Sequence, residues 1–296
     1  MIEPRSYLLA LSLLFLSGGC QTLLLFRPPA RAELHDVDFR EALAFAERAD
    51  AAYLSHAEIK ARYRERRVVV RDLSHSEVRY FIVFDDASRT QDIAVRGTSN
   101  LANLRVDAEY TPEPDRSLGI QLHRGIAVAS AELHQHIRHR LKKGYRTSIA
   151  GHSLGGAMAA ILGMYLQADG FDVARIVTFG QPKVTNVAGA QQYAHLPILR
   201  FVNRADPVAD MPPLMSLRDP DWRYSHFGAE VLLWTGNRYV FVEEHQAVST
   251  AVLSFWFNLG THEVEEHKMQ AYLASLKKKL GEAEEIRFEE RNRYLD

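Results

Sequence analysis

RTSIAGHSLGGAMAAILGMYLQ, Arg146 to Gln167, decides the fold because its pattern changes part-way along. Arg146 to Ala150 suits a short buried strand. From Leu154 onward, Met158, Ile161, Leu162, Tyr165 and Leu166 recur at helical spacing. Between the two lies Gly151-His152-Ser153-Leu154-Gly155, a G-x-S-x-G turn that passes directly from strand to helix. Such a turn is sharp enough to strain the serine and lift it to the top of a sheet. Only small neighbours fit there, and Gly151, Gly155, Gly156 and Ala157 are all small. The helix that follows points its first N–H groups at the place where negative charge would develop. The bare pentapeptide also describes a glycine-rich turn capping a helix. The strand before it and the helix after it favour a nucleophile elbow.

Outward from this stretch the chain alternates strands with helices. Phe39 to about Arg64 reads as a helix with Asp38 as its N-cap. Arg67 to Arg71, Val78 to Phe84 and Thr90 to Val95 read as strands, apolar enough to be buried on both faces. Ser99 to Leu118 reads as a lid-like loop with one short helical possibility around Leu101 and Leu104, ended by Pro112 and Pro114. Gly125 to Lys143 is a helix by its Ile126, Ala129, Leu133, Ile137 and Leu141 spacing. After the elbow come strands at Val173 to Phe179 and Ile198 to Val202. A hairpin follows at Glu230 to Trp234 and Arg238 to Val242, turning at Thr235-Gly236-Asn237. Gln246 to Leu259 and Glu263 to Leu280 complete the helices. The pattern predicts an α/β chain with a mostly parallel central sheet flanked by helices.

The 296 residues are 47% hydrophobic and 25% charged with net charge −1, which fits one large domain and gives no footprint for nucleic acid. The N-terminus differs in composition. Tyr7 to Leu16, YLLALSLLFL, is too short to span a membrane and reads as a signal-peptide core. Ser17-Gly18-Gly19 leads from it into Cys20, the sole cysteine. This arrangement resembles the lipobox of bacterial lipoproteins, with the leucine four residues before Cys20 instead of three. The expectation is a signal peptide over residues 1–19, a lipidated N-terminus and linker over 20–32, a domain over 33–280 and a charged tail over 281–296. Gln21 after the cysteine favours a lipoprotein of the outer membrane. Simple secretion and an uncleaved anchor are the alternatives.

A serine needs a base within hydrogen-bond reach and an acid to orient that base. In elbow-bearing folds of this kind the partners follow in the order Ser, Asp or Glu, His. Asp206 lies in a loop just after a strand, with Asp210 as its neighbour and competitor. Four later histidines are candidates: His226, His245, His262 and His267. The last two lie near the start of the final helix, and spacing alone barely separates them. Leu154, directly after the serine, offers a backbone N–H to an oxyanion.

Several ordered segments from about Ile93 to Leu276 resemble the class 3 lipases, the family of fungal triacylglycerol lipases and their plant and bacterial relatives. Ala94-Val95-Arg96-Gly97-Thr98 resembles that family's strand-end segment, and Asn103 with Asp107 matches the spacing of its lid. Leu122-His123-Arg124-Gly125-Ile126, GHSLGG, Thr178 to Val184 and Arg200 to Pro213 resemble four further segments in the family's order. Tyr224 to Gly228 matches a structural one. His267-Lys268-Met269-Gln270-Ala271-Tyr272 fits the family's "HxMxxY". The resemblance implies an α/β-hydrolase fold, Ser153 as nucleophile, Asp206 as acid and His267 as base, with His262 as the alternative. It also implies that the N–H groups of Leu154 and Thr98 form the oxyanion hole. No cofactor and no metal are implied.

The expected activity is hydrolysis of carboxylic esters of acyl glycerols or related lipids at a membrane reached through the N-terminal anchor. A phospholipase or a small-ester or thioester hydrolase would use the same parts. A non-catalytic envelope lipoprotein that binds lipid or a partner is the reading from a different class. His134, His136 and His139 lie on one predicted helix but lack further ligands for a metal, and are expected at its solvent rim. His152 is expected to be packed, as are Trp222, Trp234 and Trp256.

Overall fold

The computed structural model describes residues 35–97, 111–204, 206–212, 223–243 and 265–294. Asp38 caps the first helix, as its position predicts. Its carboxylate accepts the N–H groups of Arg40 and Glu41, and α1 (Phe39–Ala51) follows. The single helix expected to reach Arg64 is two helices. The chain turns at Tyr53-Leu54, and Ser55 restarts it as α2 (His56–Arg62) through a capping box with Glu58.

Three antiparallel strands follow: β1 (Arg67–Asp72), β2 (Arg79–Asp85) and β3 (Thr90–Val95). Most of the lid-like segment, residues 99–110, lies outside the described residues. Its last part is a strand instead of a loop. β4 (Pro112–Asp115) pairs antiparallel with β5 (Ile120–His123), and both prolines sit on an edge strand, where a missing N–H is tolerated. Then come α3 (Arg124–Ile137), β6 (Arg146–His152) and the elbow helix α4 (Leu154–Ala168). The chain continues through β7 (Asp172–Phe179), β8 (Thr185–Asn186), α5 (Val187–Gln192) and β9 (Ile198–Asn203).

β10 (Tyr224–Ser225) precedes the expected hairpin of β11 (Ala229–Leu233) and β12 (Arg238–Val242). The helix expected over 246–259 lies outside the described residues. The final helix begins with a 3₁₀ turn, Glu265–His267, and continues as α6 (Met269–Lys277). The charged tail ends its described part in a 3₁₀ helix, Phe288–Tyr294, that buries no residue. It adds β13 (Glu284–Glu285) to β12, buries Ile286, and places the Tyr294 carbonyl on the Trp234 indole N–H at 2.9 Å. An apolar patch on the outer face of the hairpin attracts it.

Among the described residues the strands form a nine-stranded sheet in the order β1-β2-β3-β6-β7-β9-β11-β12-β13. Its centre, from β3 to β11, is parallel throughout. A small antiparallel sheet, β10-β8-β5-β4, lies apart from it. Alternation along the central strands creates two cores. Ile93, Val95, Ile149 and Ile176 face α3 and α4; Ala94, Ala150 and Val177 face α1 and α6. The sheet is therefore covered by helices on both faces, and the elbow sits at the C-terminal end of β6, in its middle.

Candidate active site

Ser153 joins β6 to α4 with φ 59° and ψ −132°, a backbone conformation that costs an L-residue about 1–3 kcal/mol. Two glycines make the turn possible by close approach. A Cβ on Gly151 would strike the Gly155 carbonyl, and one on Gly155 would strike the Val95 carbonyl. The Ser153 N–H donates to the Phe179 carbonyl at 2.9 Å, tying the elbow to the end of β7. Leu154 is the first residue of α4, so its N–H belongs to the first turn, which has no intrahelical acceptor. Thr98, the expected second oxyanion donor, lies outside the described residues.

Asp206 and His267 meet. His267 Nδ1 lies 2.8 Å from Asp206 Oδ2, and both side chains are fully buried. The same Oδ2 accepts the Tyr272 hydroxyl at 2.6 Å, while Oδ1 accepts the Val208 N–H at 2.9 Å. Burial alone would raise this carboxyl. His267 and the two other donors outweigh it and hold Asp206 below the usual carboxylate range. Because a carboxylate only accepts, His267 Nδ1 carries a proton and Nε2 faces away from the acid. Ser153 Oγ and His267 Nε2 are both buried, and neither makes a hydrogen bond among the described residues.

Gly180, with φ 56°, is where the acid and base come closest to the end of β7. A Cβ there would lie 2.5 Å from Asp206 Oδ2 and 2.9 Å from His267 Cε1. Asp210, the competitor, sits half-buried in a 3₁₀ turn, and its carbonyl accepts the buried Lys183 ammonium at 2.7 Å. His226 holds the same loop from the other side, with Nε2 2.7 Å from the Ala209 carbonyl. His245 and His262 lie outside the described residues, as do Cys20, Trp222 and Trp256.

His152 is packed, as expected, but also bonded at both ring nitrogens: to Tyr53 Oη at 2.8 Å and to the His267 carbonyl at 2.6 Å. His134 and His136 do not rim their helix in solvent. His134 Nε2 lies 2.8 Å from Asp169 and stacks on Tyr165, whereas His136 Nδ1 lies 2.7 Å from Tyr80 Oη. Among the described residues no group of three His, Cys, Asp or Glu side chains is arranged to hold a metal. In the sequence Tyr53 stands only at apolar helical spacing with Leu43, Ala46 and Ala49, with no mark of a functional role. Tyr272 is marked by its place on the apolar stripe of the last helix and by its fixed distance from His267 in "HxMxxY".

A parallel-centred sheet with helices on both faces, and a serine on a strained strand-to-helix turn beside a buried Asp–His pair, define the α/β-hydrolase fold. The solved structure of a Rhizomucor miehei lipase in complex with its propeptide has that fold. It superposes with a TM-score of 0.59 at 19% identity, covering 77% of this chain and 78% of that one. Residues 93–216 match the class 3 lipases. Curated relatives include a chloroplastic phospholipase A1 of Arabidopsis thaliana, 26% identical over 57% of this chain and 26% of its own length. A Rhizomucor miehei lipase is 29% identical over 43% of this chain and 39% of its own. A secreted mono- and diacylglycerol lipase of Fusarium solani is 27% identical over 46% and 43%. The chain thus spans less than half the length of these three relatives.

Proposed function

We propose that the chain is a serine hydrolase of carboxylic esters of acyl glycerols or related lipids, with Ser153, His267 and Asp206 as its triad. One observation carries this reading: the buried His267–Asp206 pair, 2.8 Å apart, beside a serine held at φ 59°. His267 Nδ1 is committed to the acid, which leaves Nε2 to take the Ser153 proton as Oγ attacks the ester carbonyl. In resting enzymes such serine–base contacts are often long and tighten with substrate. The tetrahedral oxyanion would receive the Leu154 N–H and, by the family resemblance, that of Thr98. His267 then protonates the leaving alcohol, and water repeats the sequence on the acyl-enzyme. Phospholipid, small-ester and thioester substrates would use the same groups, and among the relatives are both a phospholipase A1 and glyceride lipases.

The N-terminal sequence supports a place at a membrane surface. Cys20 follows a short apolar run, and Leu23 to Phe26 adds a second apolar patch to any lipid chain attached there. One experiment on the full chain, expressed in bacteria, tests activity and location together. A fluorophosphonate probe should label a membrane-fraction protein of the expected size. Ser153→Ala should abolish the label and lower kcat for p-nitrophenyl esters by about 10⁵–10⁶, and Asp206→Asn should lower kcat by about 10⁴. Cys20→Ser should move the label to the soluble fraction. An unlabelled wild-type protein would return the non-catalytic lipoprotein reading. A label that stays in the membrane after Cys20→Ser would point to an uncleaved anchor. A panel of triacylglycerols, phospholipids and short esters then selects the substrate class.

A further inference from the structure

Tyr53 and His152 form a buried polar chain that the proposed reaction does not use. A carbonyl only accepts, so the 2.6 Å contact between His152 Nε2 and the His267 carbonyl places the imidazole proton on Nε2. His152 Nδ1 is then the acceptor of the Tyr53 hydroxyl at 2.8 Å. Burial, followed by the neighbouring His267, pushes His152 down to about 3, so the ring stays neutral in this role. Burial raises the Tyr53 phenol, which therefore stays protonated. The approach is close enough that a Cβ on Gly97 would lie 2.6 Å from Tyr53 Oη, 2.5 Å from the His152 carbonyl and 3.1 Å from Ser153 Cβ.

We propose that Tyr53 and His152 are positioning residues for Ser153 and His267, fixing the main chain of the base through one hydrogen-bonded chain from Tyr53, packed against Gly97 after β3, to the His267 carbonyl. This rests on the ester-hydrolase reading given above. His267 ends a single 3₁₀ turn, whose own hydrogen bonds are weak. Asp206 holds only its imidazole. A second hold on its backbone is needed if Nε2 is to stay aligned, because misplacement by about 1 Å can cost 10²-fold in rate. His152 supplies that hold, with its ring 4.7 Å from the His267 ring at 34°. Asn203 adds another one residue earlier, donating Nδ2 to the Glu266 carbonyl at 2.8 Å. Tyr53 gives His152 the tautomer this requires, and it comes from the turn after α1, outside the span 93–216 that marks the family.

Tyr53→Phe tests the chain because it keeps the ring that packs edge-on to His152 and removes only the hydroxyl. At a temperature well below unfolding, kcat for a p-nitrophenyl ester should fall roughly five- to twentyfold with KM within about twofold. Fluorophosphonate inactivation should slow by the same factor. His152→Gln keeps a donor towards the His267 carbonyl and removes the acceptor of Tyr53, so adding Tyr53→Phe to it should cost less than about a further twofold. Wild-type kcat in a folded Tyr53→Phe, or losses in the two variants that multiply, overturn the inference. A wild-type protein that neither hydrolyses esters nor labels overturns the activity reading instead, and the positioning role with it.

Discussion

Ser153 has the least favourable backbone of the residues at the site, and that has a measurable consequence. Its φ of 59° and ψ of −132° lie where glycine moves freely and any Cβ is strained. Ser153→Gly and Ser153→Ala should both be inactive, yet differ in stability. Glycine relieves the strain and gives back part of that gain as added entropy of the unfolded chain. We expect Ser153→Gly to be more stable than Ser153→Ala by about 1–2 kcal/mol in urea unfolding. Equal midpoints would mean that the elbow is unstrained. At this scale the sequence was most informative where chemistry and local pattern coincide. Ser153 is marked by its small neighbours and Asp206 by its place after a strand. His267 was separable from His262 only through "HxMxxY", and the contact with Asp206 is what the fold adds. Tyr53 had no such mark. Its partner lies 99 residues away, and a tyrosine after an amphipathic helix reads as ordinary packing.

The elbow helix α4 shows how an element can be rigid at one end and tolerant in the middle. Gly155 and Gly163 look alike in the sequence, and both would gain up to about 1 kcal/mol of helix propensity on becoming alanine. Their surroundings differ. A Cβ at Gly155 meets backbone, with the Arg96 carbonyl carbon and the Gly97 nitrogen each at 2.7 Å. A Cβ at Gly163 meets the Ile176 Cδ1 methyl, the far end of a flexible side chain. Gly155→Ala should therefore destabilise by about 1–3 kcal/mol and lower kcat, because β3 and the elbow must part. Gly163→Ala should stay within about 1 kcal/mol of wild type with unchanged kcat. Urea midpoints and ester hydrolysis of the two variants check this, and equal losses would refute it. Element boundaries were hidden for similar reasons. Apolar spacing runs on past Ala51, so only the Ser55–Glu58 capping box marks the break into α2. β4 reads as a proline-rich loop because edge pairing with β5 depends on residues that spacing does not connect.

Over the whole molecule, the same burial that orders the site makes the fold sensitive to acid. His152 is neutral with its pKa pushed down to about 3, and His226 is held well below its ordinary value of 6.5 by burial, with Arg200 and Lys183 nearby adding to the effect. Both histidines bind a proton in the unfolded chain near pH 6.5 but not in the folded one. In that window the unfolded state holds more protons, so stability falls as pH falls, with a slope that approaches about 1.4 kcal/mol per pH unit for each histidine once pH is well below 6.5. Asp206 acts lower down. Its depressed folded pKa contributes stability above the unfolded carboxylate range, and that contribution is lost only as pH drops through the folded value. Acid unfolding should thus begin with histidines, near pH 6, before any carboxylate titrates. His226→Gln isolates one of them, since an amide can still donate to the Ala209 carbonyl that Nε2 reaches at 2.7 Å. Urea unfolding between pH 7.5 and 5 should show a loss of stability that is smaller in the variant by about 2 kcal/mol over the whole range, most of it below pH 6.5. Identical slopes would mean that His226 is protonated inside the folded protein, and the loop that carries Asp206 would then be held by a charge.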